Sequence, residues 1–155
     1  MLPKNILVPT DLSQHAEEAF DYACELAQKL GATVHVVNVI GIPALGVPEL
    51  GVAVTSTMID SMVTENQQAL DALVARRRGD VPVGSVLLKT GDARDMIDQA
   101  AKEVGADLIV MGTHGRRGVT RALLGSIAES VVRSAPCPVL TIRSKDHRHS
   151  GRNAA

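Results

Sequence analysis

Aromatic side chains are almost missing from this chain: one Phe, one Tyr and no Trp occur in 155 residues. A core without rings must be aliphatic, which suits helices layered on a parallel sheet whose branched side chains pack on both faces. The same scarcity removes the stacking platforms that single-stranded nucleic acid needs. It also argues against an isoalloxazine-binding, flavodoxin-like electron carrier. Cysteine is nearly absent too, with Cys24 and Cys137 far apart and no Cys-x-x-Cys. They read as two small buried thiols rather than a disulfide. Charge of one sign is not in excess: sixteen basic residues face seventeen acidic ones. No basic field is available to displace phosphate counterions, so nucleic acid is not an expected partner. No apolar run approaches the roughly 20 residues that cross a bilayer, and the start MLPKNILVPTDLS carries no signal-peptide cleavage pattern. A cytoplasmic protein without membrane contact is expected.

What is present is an alternation of short apolar runs and helical stripes. Asn5-Ile6-Leu7-Val8, closed by Pro9, reads as a strand buried on both faces. A helix is expected from about Ser13 to Leu30, with Ala16, Ala19, Phe20, Ala23 and Ala27 on one face and Gly31 as its C-terminal cap. A β-branched run follows at 33–39, then a Gly- and Pro-containing stretch at 41–56, long enough to suggest a lid or contact surface. The next helix is expected over about 57–78 on Ile59, Met62, Val63, Ala69, Leu70 and Leu73. Met58, Met62 and Met96 are assigned to the core. Val83–Thr90 is a third strand, and Gly91-Asp92 opens a helix ended by Gly105. Leu108–Met111 is a fourth strand, about 126–134 a fourth helix, and Val139–Arg143 a last strand. His35, inside the second strand, reads as structural, and His147 and His149 lie in a polar tail.

Strict β-α alternation predicts one domain over residues 1–144, an α/β three-layer sandwich with five parallel strands and right-handed crossovers. Residues 145–155 are expected to be a disordered tail. The first and fourth strands are apolar on both faces and should be central. The third and fifth mix in Ser85, Lys89, Thr141 and Arg143 and should be edges, as in the order 3-2-1-4-5. Ligands of such sheets bind beyond the strands' carboxyl ends, where the winding reverses. That point lies between Pro9-Thr10-Asp11 and the segment MGTHGRRGVTRALLGS.

The second segment holds Gly112, Gly115, Gly118 and Gly125, and then Ser126 at a helix start. Glycine lets backbone approach a ligand, and a helix N-terminus offers free N–H groups and about half a positive charge. Together they make an anion cradle suited to phosphate. Arg116, Arg117 and Arg121 could neutralise a polyphosphate, and Arg116 is read as the contact. No Gly-Lys-Ser/Thr and no Gly-x-Gly-x-x-Gly after the first strand occurs. Ser126 with Glu129 has the form of a capping box. Asp11 with Gln14 could cap the first helix, and His114 could face solvent.

Gly112-x-x-Gly115, nine residues, then Gly125-Ser126 resembles the signature of the ATP-binding branch of the universal stress protein family. ILVPTDLS, GADLIVMGTHGR and GSIAESVVRSAPCPVLTIR extend the similarity from Asn5 to Arg143. The resemblance implies an adenine nucleotide alpha hydrolase-like fold. It implies ATP phosphates held by Gly112, Gly115, Gly125 and Ser126, with Asp11 by the ribose and phosphates. Val39 backbone would read the adenine edge, and Pro9, Thr10, Met111, His114, Arg116 and Ile127 complete the ATP-binding set. It further implies Mg or Mn carried by the phosphates and a homodimer through the last strand. Its function would be regulatory or protective in stress response, with a partner the sequence does not name. Two alternatives stay open: a slow ATP hydrolase or phosphotransferase, for which only Asp11 and His114 are candidate groups, and a ligand-free dimeric interaction protein.

Overall fold

A computed structural model describes residues 1–41, 56–113 and 124–143. Among the described residues five strands and four helices alternate: β1 (Asn5–Thr10), α1 (Gln14–Leu30), β2 (Thr33–Ile40), α2 (Ser56–Ala75), β3 (Val83–Thr90), α3 (Ala93–Glu103), β4 (Leu108–Gly112), α4 (Ser126–Ser134) and β5 (Val139–Ile142). The sheet is all parallel in the order 3-2-1-4-5. The composition of the strands explains their places. Ile6, Leu7 and Val8 of β1 are fully buried, whereas β5 is half-buried throughout.

Alternation along the strands divides the core in two. Ile6, Val8, Val34, Val36 and Val110 meet Phe20, Ala23, Cys24 and Ala27 of α1 and Leu70, Leu73 and Val74 of α2. On the other face Leu7, Val37, Ile109 and Met111 meet Ile97, Ala100 and Ala101 of α3 and Ala128 and Val131 of α4. Cys24 belongs to the first layer, and Cys137 packs on the second, only half-buried. The sheet therefore separates the two thiols. Burial pushes the Cys24 thiol up to about 11.

The helix ends follow local chemistry. Gly31 takes the left-handed conformation, φ 62°, that a C-terminal cap requires. Asp92 caps α3, its carboxylate accepting the Asp95 N–H at 3.1 Å. One assignment needs correction. Met58 and Met62 are exposed rather than core, because α2 buries only Leu70, Leu73 and Val74, in its second half. The apolar stripe of α2 is real, but its first half does not lie on the sheet. Among the described residues no helix is long and apolar enough to cross a membrane.

Candidate functional site

β1 and β4 are neighbours, with Ile6 opposite Leu108 and Leu7 opposite Ile109. Their carboxyl ends open toward α1 on one face and α4 on the other, the place where an open parallel sheet accepts a ligand.

On the β1 side, Pro9 and Thr10 are buried at the strand end, and the chain turns sharply after them. The Thr10 hydroxyl accepts the Leu12 N–H at 3.0 Å. Asp11 Oδ1 accepts the Ser13 N–H at 3.0 Å and also the Ser13 hydroxyl. Leu12 between them has φ 62°, a conformation that costs a branched side chain free energy and persists only where its surroundings enforce it. Ser13, not Asp11, caps α1, its hydroxyl accepting the Ala16 N–H at 3.3 Å. The alternative reading of Asp11 as a helix cap is thus overturned. The carboxylate lies two residues too early and closes the turn ahead of the helix.

On the β4 side, Met111 is buried and Gly112 lies opposite Ile142 of β5. Buried Thr113 donates its N–H to Ile142 O at 3.0 Å, and its carbonyl accepts the Gly125 N–H at 2.8 Å. That last bond brings the two halves of the glycine signature side by side. Gly125 then serves as the N-cap of α4 in extended conformation, φ −60° and ψ 153°, and its carbonyl accepts the Glu129 N–H at 2.8 Å.

The capping-box reading of Ser126 is overturned by this arrangement. Ser126 is the first helical residue rather than the cap, and the Glu129 carboxylate pairs with Arg133 at 2.8 Å instead of reaching back. Ser126 is exposed, and its hydroxyl has no hydrogen-bond partner among the described residues. Ile127 is exposed as well. The opening N–H groups of α4 have no intrahelical acceptors, so this corner carries donors and partial positive charge.

Val39 lies opposite Lys89, with its side chain against the α3–α4 layer. His114, Gly115, Arg116, Gly118 and the other loop arginines lie outside the described residues, as do most of 41–56 and the tail at 145–155. Among the described residues no group of three His, Cys, Asp or Glu could hold a metal ion. Four residues escaped the sequence reading: Thr113, Asn38, Leu12 and His15. Asn38 Nδ2 donates to Thr10 O at 2.8 Å, while its Oδ1 is buried without a partner, as is Nδ1 of His15 in the first turn of α1. Asn38 left one visible trace, as the polar interruption in the run VHVVNVI.

Chemically the corner can take an anion at α4 and a polar, donor-bearing group toward β2. The family profile described as the Universal stress protein family matches residues 3–143. A universal stress protein of Methanocaldococcus jannaschii is 36% identical over 144 residues, covering 92% of this chain and 83% of that protein. The solved universal stress protein UspA from Lactobacillus plantarum is 30% identical with a TM-score of 0.74, covering 90% of this chain and 97% of its own. Two structures with ligands share the fold. A universal stress protein in complex with cAMP has a TM-score of 0.65 at 22% identity, covering 92% of this chain and 98% of that one. A family member from Arabidopsis thaliana with AMP bound has 0.63 at 20% identity, covering 96% and 97%.

Proposed function

This chain belongs to the universal stress protein family, and we propose that it is an ATP-binding member acting as a nucleotide-dependent regulatory module. The observation that carries the reading is the Thr113 O to Gly125 N–H bond of 2.8 Å. It sets Gly112 beside Gly125 and Ser126 at the N-terminus of α4, with the Ser126 hydroxyl left out of capping. Adenine is supported by the fold relatives that carry cAMP and AMP.

In this reading Gly112 and Gly115 bring the backbone close to the phosphates, and Gly125, whose own N–H is held by Thr113 O, leaves them room at the α4 N-terminus; the Ser126 hydroxyl, His114 and Arg116 join them. Asp11 faces the ribose and phosphates, and the Val39 backbone reads the adenine edge. Pro9, Thr10, Met111 and Ile127 line the remainder. Bound Mg or Mn would travel with the phosphates and neutralise part of their charge. The glycine cradle and helix terminus suit a metal-bearing polyphosphate better than a metal alone. Turnover is not part of the proposal, because Asp11 Oδ1 is already committed to Ser13.

Gly125→Asp tests the cradle without breaking the fold. The Gly125 conformation suits any L-residue, and Asp is a favoured N-cap, so helix α4 should hold or gain stability. Its carboxylate would sit where phosphate is expected. Titration with ATP should show saturable binding in the wild type and a loss of about 100-fold or more in the variant, with Tm unchanged or raised. Equal affinity in both proteins, or no ATP binding in the wild type, sinks the reading.

The module is read as a homodimer through β5. Ile109 N–H goes to Pro138 O and Thr113 N–H to Ile142 O, so even-numbered residues of β5 face β4. Val139 and Thr141 therefore turn their N–H and C=O outward, an edge that invites a second strand. Thr141→Pro removes one outward donor and spares the β4 ladder. Sedimentation should report a dimer in the wild type and a folded monomer in the variant; a variant that stays dimeric assigns the contact elsewhere.

A further inference from the structure

We propose that Asn38 is a specificity-determining residue at the nucleoside end of the site, its Oδ1 accepting a hydrogen bond from an N–H or O–H of the bound nucleoside. The inference rests on the nucleotide reading above and adds to it a residue outside the glycine signature. Asn38 is 2% exposed and lies opposite Thr10 on β1 and Leu88 on β3. Thr10 is the last residue of β1, and its carbonyl can only accept. The side-chain amide is therefore oriented unambiguously: Nδ2 donates to Thr10 O at 2.8 Å, and the atom left over is Oδ1. That oxygen is buried and has no donor.

Buried acceptors are nearly always satisfied, and an exception in a well-packed sheet calls for an absent group. The place of this one is informative. Asn38 stands at the carboxyl end of β2, one residue before Val39 and across from the residue that precedes Asp11. β2 and β4 are separated only by β1, so Asn38 lies roughly 10 Å across the sheet from the phosphate corner at Gly112. That separation suits the nucleoside half of a nucleotide whose phosphates sit at α4.

Phosphate oxygens at neutral pH have nothing to donate to Oδ1. The donors of an adenine nucleotide are the 6-amino group and the ribose 2′- and 3′-hydroxyls, and a fixed acceptor selects for whichever reaches it. A site built to pair one such donor rejects the analogue that lacks it, because its own polar atom is then stranded.

The test is a titration of the full chain with ATP, purine riboside triphosphate (no 6-amino group), 2′-deoxy-ATP and 3′-deoxy-ATP. The wild type should bind ATP tighter than one analogue by about tenfold or more, and that analogue names the donor. Asn38→Leu should abolish the preference. A purely structural Asn38 would weaken all four ligands alike in Asn38→Leu. Should that variant not fold, the wild-type side-chain amide resonances of Asn38 decide instead. They must move on adding ATP and stay in place with the rejected analogue. Four equal affinities, or a preference that survives in Asn38→Leu, overturn the inference while leaving ATP binding intact. Absence of ATP binding in the wild type removes the nucleotide reading and this inference together.

Discussion

The two ends of the sheet are built to different standards. At the amino end the exposed strand starts are tied down. The Asp107 carboxylate accepts the N–H groups of Lys4 and Asn5 at 2.9 and 3.0 Å, and the Lys4 and Asn5 carbonyls accept from Thr33 and Asp107. Even a fault in the ladder is filled. The β2–β3 register shifts between Val34 and Val36, and there His35 Nδ1 accepts the Ser85 N–H at 2.9 Å. Its Nε2 faces Asn5 Oδ1 at 3.3 Å, so one neutral imidazole spans three strands. The carboxyl end keeps a left-handed Leu12, an orphan Asn38 Oδ1, a buried His15 Nδ1 without a partner and an exposed Ser126. Apart from one buried orphan midway along α3, Asp98 Oδ1, the unmet hydrogen-bonding capacity lies at the carboxyl end, while the amino end is fastened.

Gly84 sets the two ends against each other most strongly. A Cβ there would lie 2.4 Å from His35 Cε1 and 2.7 Å from Nδ1. The ring has little room to yield, because both of its nitrogens are engaged. Gly84→Ala should therefore displace the imidazole and cost about 1–3 kcal/mol of unfolding free energy, read from urea denaturation. ATP affinity should change by less than about twofold, since distant sites without shared partners act independently. If affinity falls in step with stability, the two ends are mechanically coupled and the division of labour fails.

The same division governs what the sequence made legible. Periodicity located the strands and helices of the described residues, and strand composition was compatible with the order found, because burial on one or two faces is written in side-chain type. Local chemistry was less secure where two motifs overlapped. Ser126-Ile127-Ala128-Glu129 has the spacing of a capping box, but the N-cap is Gly125, one residue earlier, and the pattern carries no phase. Asp11 failed as a cap for the same reason, with Ser13 two residues on taking the position. The methionines of α2 keep helical spacing although the first half of that helix is exposed, since a stripe does not say how far the neighbouring layer extends. Thr113 and Asn38 were invisible as functional groups. Their partners, Ile142, Gly125 and Thr10, come from other elements and meet only in the fold.

A smaller difference between the two ends should follow pH. Because His35 Nδ1 accepts an amide N–H, the proton of the neutral ring sits on Nε2, and a second proton on Nδ1 would oppose the Ser85 donor. Burial lowers the His35 pKa from its ordinary 6.5. The unfolded chain therefore takes up this proton before the folded one, and stability rises with pH across that interval. The His35 contribution is complete above about pH 6.5 and is lost as the pH falls from there toward the lowered value of the folded state. Asp107 acts in a second window. Its two backbone donors hold the carboxyl below the ordinary 3.8, so its contribution is present above that value and lost as pH falls through the folded pKa. Urea midpoints should decline in two steps on acidification. His35→Gln should remove the upper step, and Asp107→Asn the lower. Hydrogen exchange at the Ser85 amide should quicken first, while the α4 amides stay protected. If acid loosens α4 before Ser85, the amino end of the sheet is not the pH-sensitive fastening that the His35 contacts describe.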